Sequence, residues 1–569
     1  MVIVASGRRN RLVSVARRGA ALLAVLAVVA GTQALVAPGA GAAGGYVPIS
    51  GSGSTFSQNA VDQWRRNVSS NYGITVNFSG VGSTQGRTDF RNGQVDFAVS
   101  EIPYGLTDGG VLDPLPSRKF GYMPIVAGGT SFMYNLKIGG KRVTNLRLSG
   151  DTITKIFTQK ITTWDDAAIK ADNPGLTLPA RKITPVVRSD GSGTTAQFTA
   201  WMASQYGPQW DDFCHRAGVT VTPCGFTSFY PTQGTSLIAK AQSQGVSGFV
   251  AQSSSEGAIT YVEYAYARST GFPVAKVLNK ANYYVEPTAP SVAVALLNAK
   301  LHPDLTQDLS QVYVNTDPRT YPLSSYSYMI LPKDISSNFN TEKGKTLSTF
   351  ANYFLCEGQQ QADTLGYSPL PINLVQAAVN QVNQIPGATN DLDPNNLSKC
   401  HNPTVSPNGG NLVAQNAPQP SPCDKLGAST QCSTGTGGAH ETTKTNGAGN
   451  QSAGGGGSAG GGGGTSGGAN GTNSTGGGTG TSDPTVPGGG AAGTIDPATG
   501  QVIDGATSGS GSSADGASAI PVSVDVADNR RQMVLASLAA VLLFALILGP
   551  PLVARTMRNR AGSQDGPLS

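Results

Sequence analysis

One long tract of small and polar residues limits what this chain can fold into. From Asn402 to Asn529 the sequence is dominated by Gly, Ser, Thr, Ala and Pro, and it includes the run GGGGSAGGGGGTSGG. Such a tract cannot bury enough apolar surface to offset its conformational entropy, so we expect it to be a disordered tether. The part that can build a hydrophobic core is therefore residues 44–401 of a 569-residue chain.

Both ends of the chain carry features of membrane targeting. Residues 1–43 are typical of a secretory signal peptide, because arginines precede an apolar run and Ala40–Ala42 offers a small-residue cleavage site. The uncharged run Met533–Ala554 is long enough to span a bilayer as a helix. Arginines after it favour a cytoplasmic tail at 555–569, although two arginines on its other flank weaken that preference. We therefore expect a single-pass protein of the cell membrane, with its folded part on the outer side at the cell surface.

Charge and histidine content argue against nucleic acid and metal. The whole chain has a formal net charge of +5, but without the arginines of its two terminal segments the remainder is slightly acidic. No basic stripe with interleaved aromatic residues remains to bind a phosphate backbone. The four histidines are scattered and no C-x-x-C pair occurs, so we expect neither a metal site nor a cofactor.

The six cysteines all lie on the exported side of the expected membrane helix. An even number of cysteines in an oxidising compartment favours disulfides over reduced, buried thiols. Cysteine count alone does not set connectivity, but the positions favour a loop staple, a link from the last helix to the start of the tether, and a bond within the tract. The expected pairs are Cys214 with Cys224, Cys356 with Cys400, and Cys423 with Cys432.

Three turns rich in glycine and small hydroxyls each lead into a run with helical periodicity. The turns are GSGSTF, GVGSTQG and VVRSDGSGTT. The first turn of a helix has free N–H groups and a partial positive charge, which suit an oxyanion. Arg188, in the third turn, adds a planar set of donors that matches a tetrahedral oxyanion. Each turn alone is explained by helix capping, but three together favour an anion site built from several helix N-termini.

Strand-like runs alternate with amphipathic runs over the folded part of the chain. ITVNF, VDFAV and SGFVAQ are strand-like, whereas DTITKIFTQKITTWDDAAIKA and INLVQAAVNQVNQI have helical periodicity. This alternation predicts an α/β fold with mostly parallel sheets, in which ligands bind beyond the carboxyl ends of the strands. Some 350 residues exceed what one sheet usually needs, so we expect two lobes with a cleft between them.

Taken together, these motifs resemble the phosphate-binding proteins of ABC-type phosphate importers. The resemblance covers about Tyr46 to Pro386 and rests on order and approximate spacing. It implies a two-lobed periplasmic-binding-protein fold of type II, with phosphate buried in the cleft and no catalysis. The matching stretches are GSGSTF, GVGSTQG, DFAVSEIPY, GDTITKIFTQKITTWDDAAIKADNPGLTLP, VVRSDGSGTT, GAITYVEYAYA, YPLSSYSYMIL and LGYSPLP.

The resemblance also implies a set of phosphate contacts and two lobe boundaries. Glu101 stands where that family has an aspartate; it either meets the ligand or, being one methylene longer, points away as a solvated residue. Asp190 is expected to orient Arg188; the alternative is that it only forms an ordinary Asx turn. Lobe one is expected at 44–127 plus 321–401 and lobe two at 128–320, with crossings near Ala127–Thr130 and Tyr321–Ser325. The implied contacts are Thr55, Phe56 through its amide, Ser83, Glu101, Arg188, Ser192, Gly193 and Thr194.

No motif supports an enzyme. The G-x-S-x-G at 456–460 lies inside the glycine tract. Lys343–Thr346 resembles a phosphate loop, but Phe339 stands where its first glycine should be, and His440-Glu441 lacks the second histidine of a zinc protease helix. We expect a monomeric receptor that captures inorganic phosphate and delivers it to an ABC permease. The alternatives are a surface-anchored adhesion or sensing module with the same fold, or a receptor for another oxyanion.

Overall fold

The structure is a computed structural model, and it describes residues 45–336, 338–398, 400–404 and 410–445, with the backbone of 494–495 and 502–503. The expected signal peptide, most of the expected tether and the run Met533–Ala554 lie outside the described residues. Among the residues that are described, no helix combines the length and the apolar character needed to cross a membrane.

Helices and strands alternate over parts of the chain, as the sequence predicts, but the seven strands β3 to β9 follow one another between α2 and α3. In chain order, the α-helices are α1 Gln58–Tyr72, α2 Ser83–Arg91, α3 Gly150–Phe157, α4 Ala167–Asp172, α5 Gly193–Arg216, α6 Gln242–Ala251, α7 Tyr264–Ser269, α8 Ala289–Leu296, α9 Ser310–Tyr313, α10 Thr341–Leu355, α11 Ala362–Leu365, α12 Ile372–Val382 and α13 Leu412–Gln415. The strands are β1 Ile49–Gly53, β2 Val76–Gly80, β3 Phe97–Ser100, β4 Thr107–Asp108, β5 Val111–Leu112, β6 Phe120–Tyr134, β7 Lys137–Ile138, β8 Lys141–Arg142, β9 Arg147–Leu148, β10 Thr184–Arg188, β11 Ile238–Lys240, β12 Ala258–Glu263, β13 Val274–Leu278, β14 Tyr284–Val285, β15 Lys300–Leu301, β16 Gln307–Asp308, β17 Ser324–Pro332, β18 Thr494–Ile495 and β19 Val502–Ile503.

The long strand β6 belongs to both lobes. Its first part pairs antiparallel with β17 as far as Gly129, and its last part pairs antiparallel with β12 from Thr130 onward. The resulting strand order is β11-β10-β12-β6-β17-β3-β1-β2, and β13 also pairs with β6. The chain therefore passes between the lobes at Gly129–Thr130 and returns to lobe one with β17.

Each lobe has a parallel group of three strands. In lobe one, β1 lies between β2 and β3, and in lobe two β10 lies between β11 and β12. The central strands β6 and β17 run antiparallel to their neighbours, so the sheet is mixed and not mostly parallel as the sequence predicts. The α/β two-lobed architecture that the sequence predicts is the one observed.

Two expectations about elements are wrong. The run SGFVAQ is not a strand, because most of it lies in α6, where Val246 and Val250 are buried one helical turn apart. A short apolar run does not by itself distinguish a buried strand from a buried helix. The long run that begins at Asp151 is not one helix either, since α3 ends at Phe157 and Gln159 has a positive φ of 60°.

The folded part extends beyond His401, the boundary that composition predicts. Residues 410–445 pack largely against lobe two, so the tether cannot begin at Asn402. The Asn145 side chain donates to the carbonyl of Cys432 at 2.7 Å. The Lys276 ammonium lies 2.6 Å from the Asp424 carboxylate, and about nine-tenths of each side chain is buried. Polar groups of this segment, which its composition predicts to be solvated, therefore form hydrogen bonds and an ion pair with the surface of lobe two.

All three expected disulfides are confirmed. Cys214–Cys224 closes a loop in lobe two, and Cys423–Cys432 lies in the segment that packs on the same lobe. Cys356–Cys400 ties the end of α10 to residue 400, close to the domain boundary that composition predicts. Every cysteine of the sequence is thereby paired.

Candidate anion-binding site

Three strand-to-helix turns meet where the lobes face each other. The turns join β1 to α1, β2 to α2, and β10 to α5, and the end of β3 lies beside them. Carboxyl ends of parallel strands and N-termini of helices thus share one region, as the fold rule for such sheets predicts. Every residue expected at the site is buried. Gly193 is buried at the N-terminus of α5, and the other seven are at most 3% exposed: Thr55, Phe56, Ser83, Glu101, Arg188, Ser192 and Thr194.

Glu101 is buried in this region and is not a solvated residue at a strand end. Its side chain is surrounded by hydroxyl donors: Ser54 at 2.7 Å and Ser83 at 2.8 Å on Oε2, and Ser327 at 2.6 Å on Oε1. Burial raises the pKa of Glu101, while the three serine hydroxyls and the charge of Arg188 act in the opposite direction. The alternative that Glu101 points away into solvent is wrong.

Arg188 is held in place by Asp190 through two hydrogen bonds. Nε donates to Oδ1 at 2.7 Å and Nη2 donates to Oδ2 at 2.5 Å. Burial acts to raise the pKa of Asp190, but the hydrogen bonds and charge of Arg188, together with the Gln242 amide, leave that pKa below its usual value. The remaining nitrogen, Nη1, donates to Ser243 Oγ at 3.3 Å. Asp190 therefore fixes one edge of the guanidinium and leaves the other edge to the site.

The two lobes touch at Gly193. Its amide, at the N-terminus of α5, donates to Ser83 Oγ of lobe one at 3.1 Å. A Cβ at position 193 would overlap Glu101 Oε2 and lie 2.6 Å from Ser83 Oγ. This approach therefore requires glycine at 193.

Exchange of Gly193 for alanine is expected to weaken anion binding by roughly 5- to 150-fold. The added methyl group forces the lobes apart or displaces Glu101, and overpacking of this kind costs about 1–3 kcal/mol. Isothermal calorimetry with phosphate measures the loss. Gly207→Ala is the matched control, because a Cβ there meets no atom within 4 Å. Equal affinities for Gly193→Ala and the wild type would show that the lobes do not approach at this point.

Paired hydroxyls also join the lobes. Thr55 Oγ1 lies 2.8 Å from Ser243 Oγ, and Thr84 Oγ1 lies 2.9 Å from Ser228 Oγ. Ser228 is also bound by Asp108 of lobe one, which accepts from its amide at 2.7 Å and from its hydroxyl. The cleft is closed in this structure, and hydroxyls from opposite lobes satisfy one another.

Comparison with known proteins gives a consistent assignment. A family model described as a PBP superfamily domain matches residues 34–357. The phosphate-binding protein PstS of Xylella fastidiosa (strain Temecula1) is 32% identical over 334 residues, which cover 58% of this chain and 83% of that protein.

The chain belongs to the PBP superfamily.

Two further relatives are similar. Phosphate-binding protein PstS 2 of Mycobacterium tuberculosis (strain H37Rv) is 30% identical over 397 residues, which cover 64% of this chain and 99% of that protein. A solved phosphate-binding protein from Stenotrophomonas maltophilia is 18% identical, with a TM-score of 0.42, over 60% of this chain and 98% of that chain.

In this PBP superfamily member, the residues that the sequence predicts at one site do lie together. Ser192 caps α5 by accepting from the Thr195 amide at 3.1 Å. The Thr194 hydroxyl is buried and has no hydrogen-bond partner within the part of the chain that the structure describes. The Phe56 amide, expected to face the ligand, donates to Ser54 Oγ at 3.0 Å here.

Sequence reasoning missed several members of this cluster. Ser54 and Ser327 bind Glu101, and Ser243 contacts both Arg188 and Thr55. Ser54 belongs to the turn GSGSTF and Ser327 to the stretch YPLSSYSYMIL. Both stretches are part of the family resemblance, but nothing in them indicates that these serines bind Glu101. Ser243 lies just before the run SGFVAQ, which the sequence predicts as a strand. Because that run belongs to helix α6, Ser243 lies at a fourth helix N-terminus that the sequence does not predict.

Proposed function

We propose that this protein is an extracytoplasmic receptor that binds inorganic phosphate between its lobes and delivers it to an ABC-type permease, without catalysis. The observation that carries the proposal is the burial of one guanidinium, one carboxyl group and several helix N-termini in a single interlobe cluster. The similarity to proteins named as phosphate-binding supports the choice of anion.

Phosphate would be bound by donors from both lobes. Lobe one would supply the Thr55 hydroxyl, the Phe56 amide and Ser83. Lobe two would supply Arg188 and the turn Ser192–Thr194, where the Thr194 hydroxyl has no other partner among the described residues. Hydroxyls that pair across the lobes in this structure would turn to the ligand, so closure and binding would use the same groups. Donor dipoles and a fixed guanidinium stabilise an oxyanion in a dry site.

Glu101 would select a protonated anion. A buried carboxylate repels a fully ionised oxyanion, but it accepts a hydrogen bond from one that still carries a proton. Near neutral pH phosphate keeps at least one proton and sulfate keeps none. Because an unpaired buried charge costs several kcal/mol, rejection of sulfate would contribute much of the selectivity.

Replacement of Glu101 by glutamine is expected to lower the phosphate-to-sulfate affinity ratio by about tenfold or more. The amide carries no charge and can donate as well as accept, so sulfate binds more readily while phosphate binding weakens. Since burial raises the pKa of Glu101, wild-type affinity for sulfate should also fall as pH rises through that pKa, by up to about tenfold per pH unit. The glutamine variant should lose this dependence.

Calorimetric titration of both anions at several pH values measures these effects. Glu263→Gln is the control, because Glu263 is also a fully buried carboxyl but caps α7 by accepting from the Ala265 amide at 2.7 Å. An unchanged phosphate-to-sulfate affinity ratio in Glu101→Gln would mean that Glu101 does not select the anion by accepting a hydrogen bond from its proton. A wild-type protein without measurable phosphate affinity would instead favour an adhesion or sensing role.

The proposal includes export of the folded part and its attachment to the cell membrane. We propose that residues 1–43 direct export, that Met533–Ala554 anchors a monomer in the cell membrane, and that the segment after Thr445 acts as the tether. Cell fractionation of the full chain, and of a chain that stops before Met533, tests the anchor. Release of the shorter chain from the membrane fraction is expected, and its retention there would contradict the proposal.

A further inference from the structure

Helix α6 brings a residue to the site that the expected contact set lacks. Ser243, in its first turn, is 0% exposed. The Ser243 hydroxyl lies 2.8 Å from Thr55 Oγ1 and accepts from Arg188 Nη1 at 3.3 Å. The backbone amide of Ser243 donates to Thr55 Oγ1 at 3.2 Å. Ser243 therefore links two groups that would hold the ligand, one from each lobe.

The entry to this helix is fixed by the carboxylate that fixes Arg188. Gln242 has a positive φ of 62°, which is uncommon for a residue other than glycine and costs energy. Its amide donates to Asp190 Oδ1 at 2.8 Å, and the same oxygen accepts from Arg188 Nε. One carboxylate thus sets the positions of both the guanidinium and Ser243 relative to each other.

The hydrogen bonds of Ser243 show how it orients its neighbours. Arg188 donates to Ser243 Oγ, and the Ser243 amide donates to Thr55 Oγ1. The Ser243 hydroxyl also bonds the Tyr266 hydroxyl, which itself donates to the Thr55 carbonyl at 2.6 Å. Because Thr55 belongs to lobe one and Ser243 to lobe two, their contact forms only when the lobes are closed.

We propose that Ser243 is a positioning residue for the anion: it orients the Thr55 hydroxyl and the Arg188 guanidinium and so couples phosphate contact to lobe closure. This inference rests on the proposed function, because it assigns a role within the same site.

A double-mutant cycle in the full chain tests the coupling, with inorganic phosphate as the probe. Ser243→Ala is expected to weaken phosphate binding by about tenfold, and Ser243→Thr, which keeps the hydroxyl, is expected to recover most of it. The double variant Ser243→Ala with Thr55→Val should bind clearly better than the product of the two single losses predicts, because the two hydroxyls act as one unit. The matched control is Ser247→Ala, one turn further along α6, where the hydroxyl donates to the Ser243 carbonyl at 2.8 Å.

Three outcomes separate the explanations. Phosphate affinity equal to wild type in Ser243→Ala, or independent losses at Ser243 and Thr55, would overturn the inference and leave the receptor function intact. An equal loss in Ser247→Ala would show that the helix, and not the Ser243 hydroxyl, matters, which also overturns it. A wild-type chain that does not bind phosphate would contradict the receptor function and this inference with it.

Discussion

Replacement of Arg188 by alanine is expected to lower phosphate affinity by about 150-fold or more. A charge-assisted hydrogen bond contributes about 1.5–3 kcal/mol. The loss should be larger than that, because alanine also removes the partner of Asp190. The Asp190 carboxylate accepts two bonds from Arg188, and without them it would face the anion as an unpaired, partly buried charge. Repulsion between that carboxylate and the bound anion adds to the lost bonds, so the expected loss of binding free energy is about 3 kcal/mol or more.

A second substitution separates the two contributions to this loss. Arg188→Ala combined with Asp190→Asn should bind phosphate better than Arg188→Ala alone, because the repelling carboxylate is gone. Arg188→Lys should lie between wild type and alanine, since it keeps a charge without the planar pair of donors. Calorimetry gives the affinities, and thermal unfolding without ligand checks that each variant is folded. Phosphate binding that survives Arg188→Ala unchanged would mean that this guanidinium does not hold the anion.

A chain that ends at residue 401, the boundary that composition predicts, is expected to be less stable than one that ends at residue 445 by roughly 1.5–3 kcal/mol or more, the contribution of a hydrogen bond between charged groups. The shorter chain removes the Asp424 carboxylate that the Lys276 ammonium contacts at 2.6 Å. It also removes a bond from Arg147, which donates to the Cys423 carbonyl at 3.0 Å. Urea unfolding of residues 44–401 and 44–445 measures the difference.

The boundary at residue 445 has its own control. Extending the chain from 445 to 520 should change neither stability nor phosphate affinity, because no site residue lies in the added segment. Asp424→Asn in the chain that ends at 445 should reproduce part of the truncation effect and leave the disulfides in place. Equal unfolding midpoints for the chains that end at 401 and at 445 would mean that the packed segment contributes nothing to the stability of lobe two.

The sequence by itself predicted the α/β fold class and the disulfide pairs, and its resemblance to a known family supplied the candidate site residues. The signals behind these predictions are local or nearly so: periodicity, the spacing of cysteines, and turns whose glycines and hydroxyls precede a helix. The turn VVRSDGSGTT contains Arg188, its partner Asp190 and the N-terminus of α5 within ten residues. A feature that is complete within one short segment can be recognised without knowing what packs against it.

Only the tertiary structure decided which distant side chains complete the site. Ser327 binds Glu101 across 226 positions of sequence, and Ser243 meets Thr55 across 188. Serines are common, and nothing in the local sequence separates these from solvated ones. The prediction that the disordered tether begins at Asn402 is wrong for the same reason. Composition measures how polar a segment is, and it does not show whether a neighbouring surface satisfies the polar groups of that segment. Asp424 is buried against Lys276 of β13, a partner that only the folded lobe two provides. Contacts of this kind depend on how the folded lobes pack against each other and against the segment 410–445. No short stretch of sequence specifies that packing.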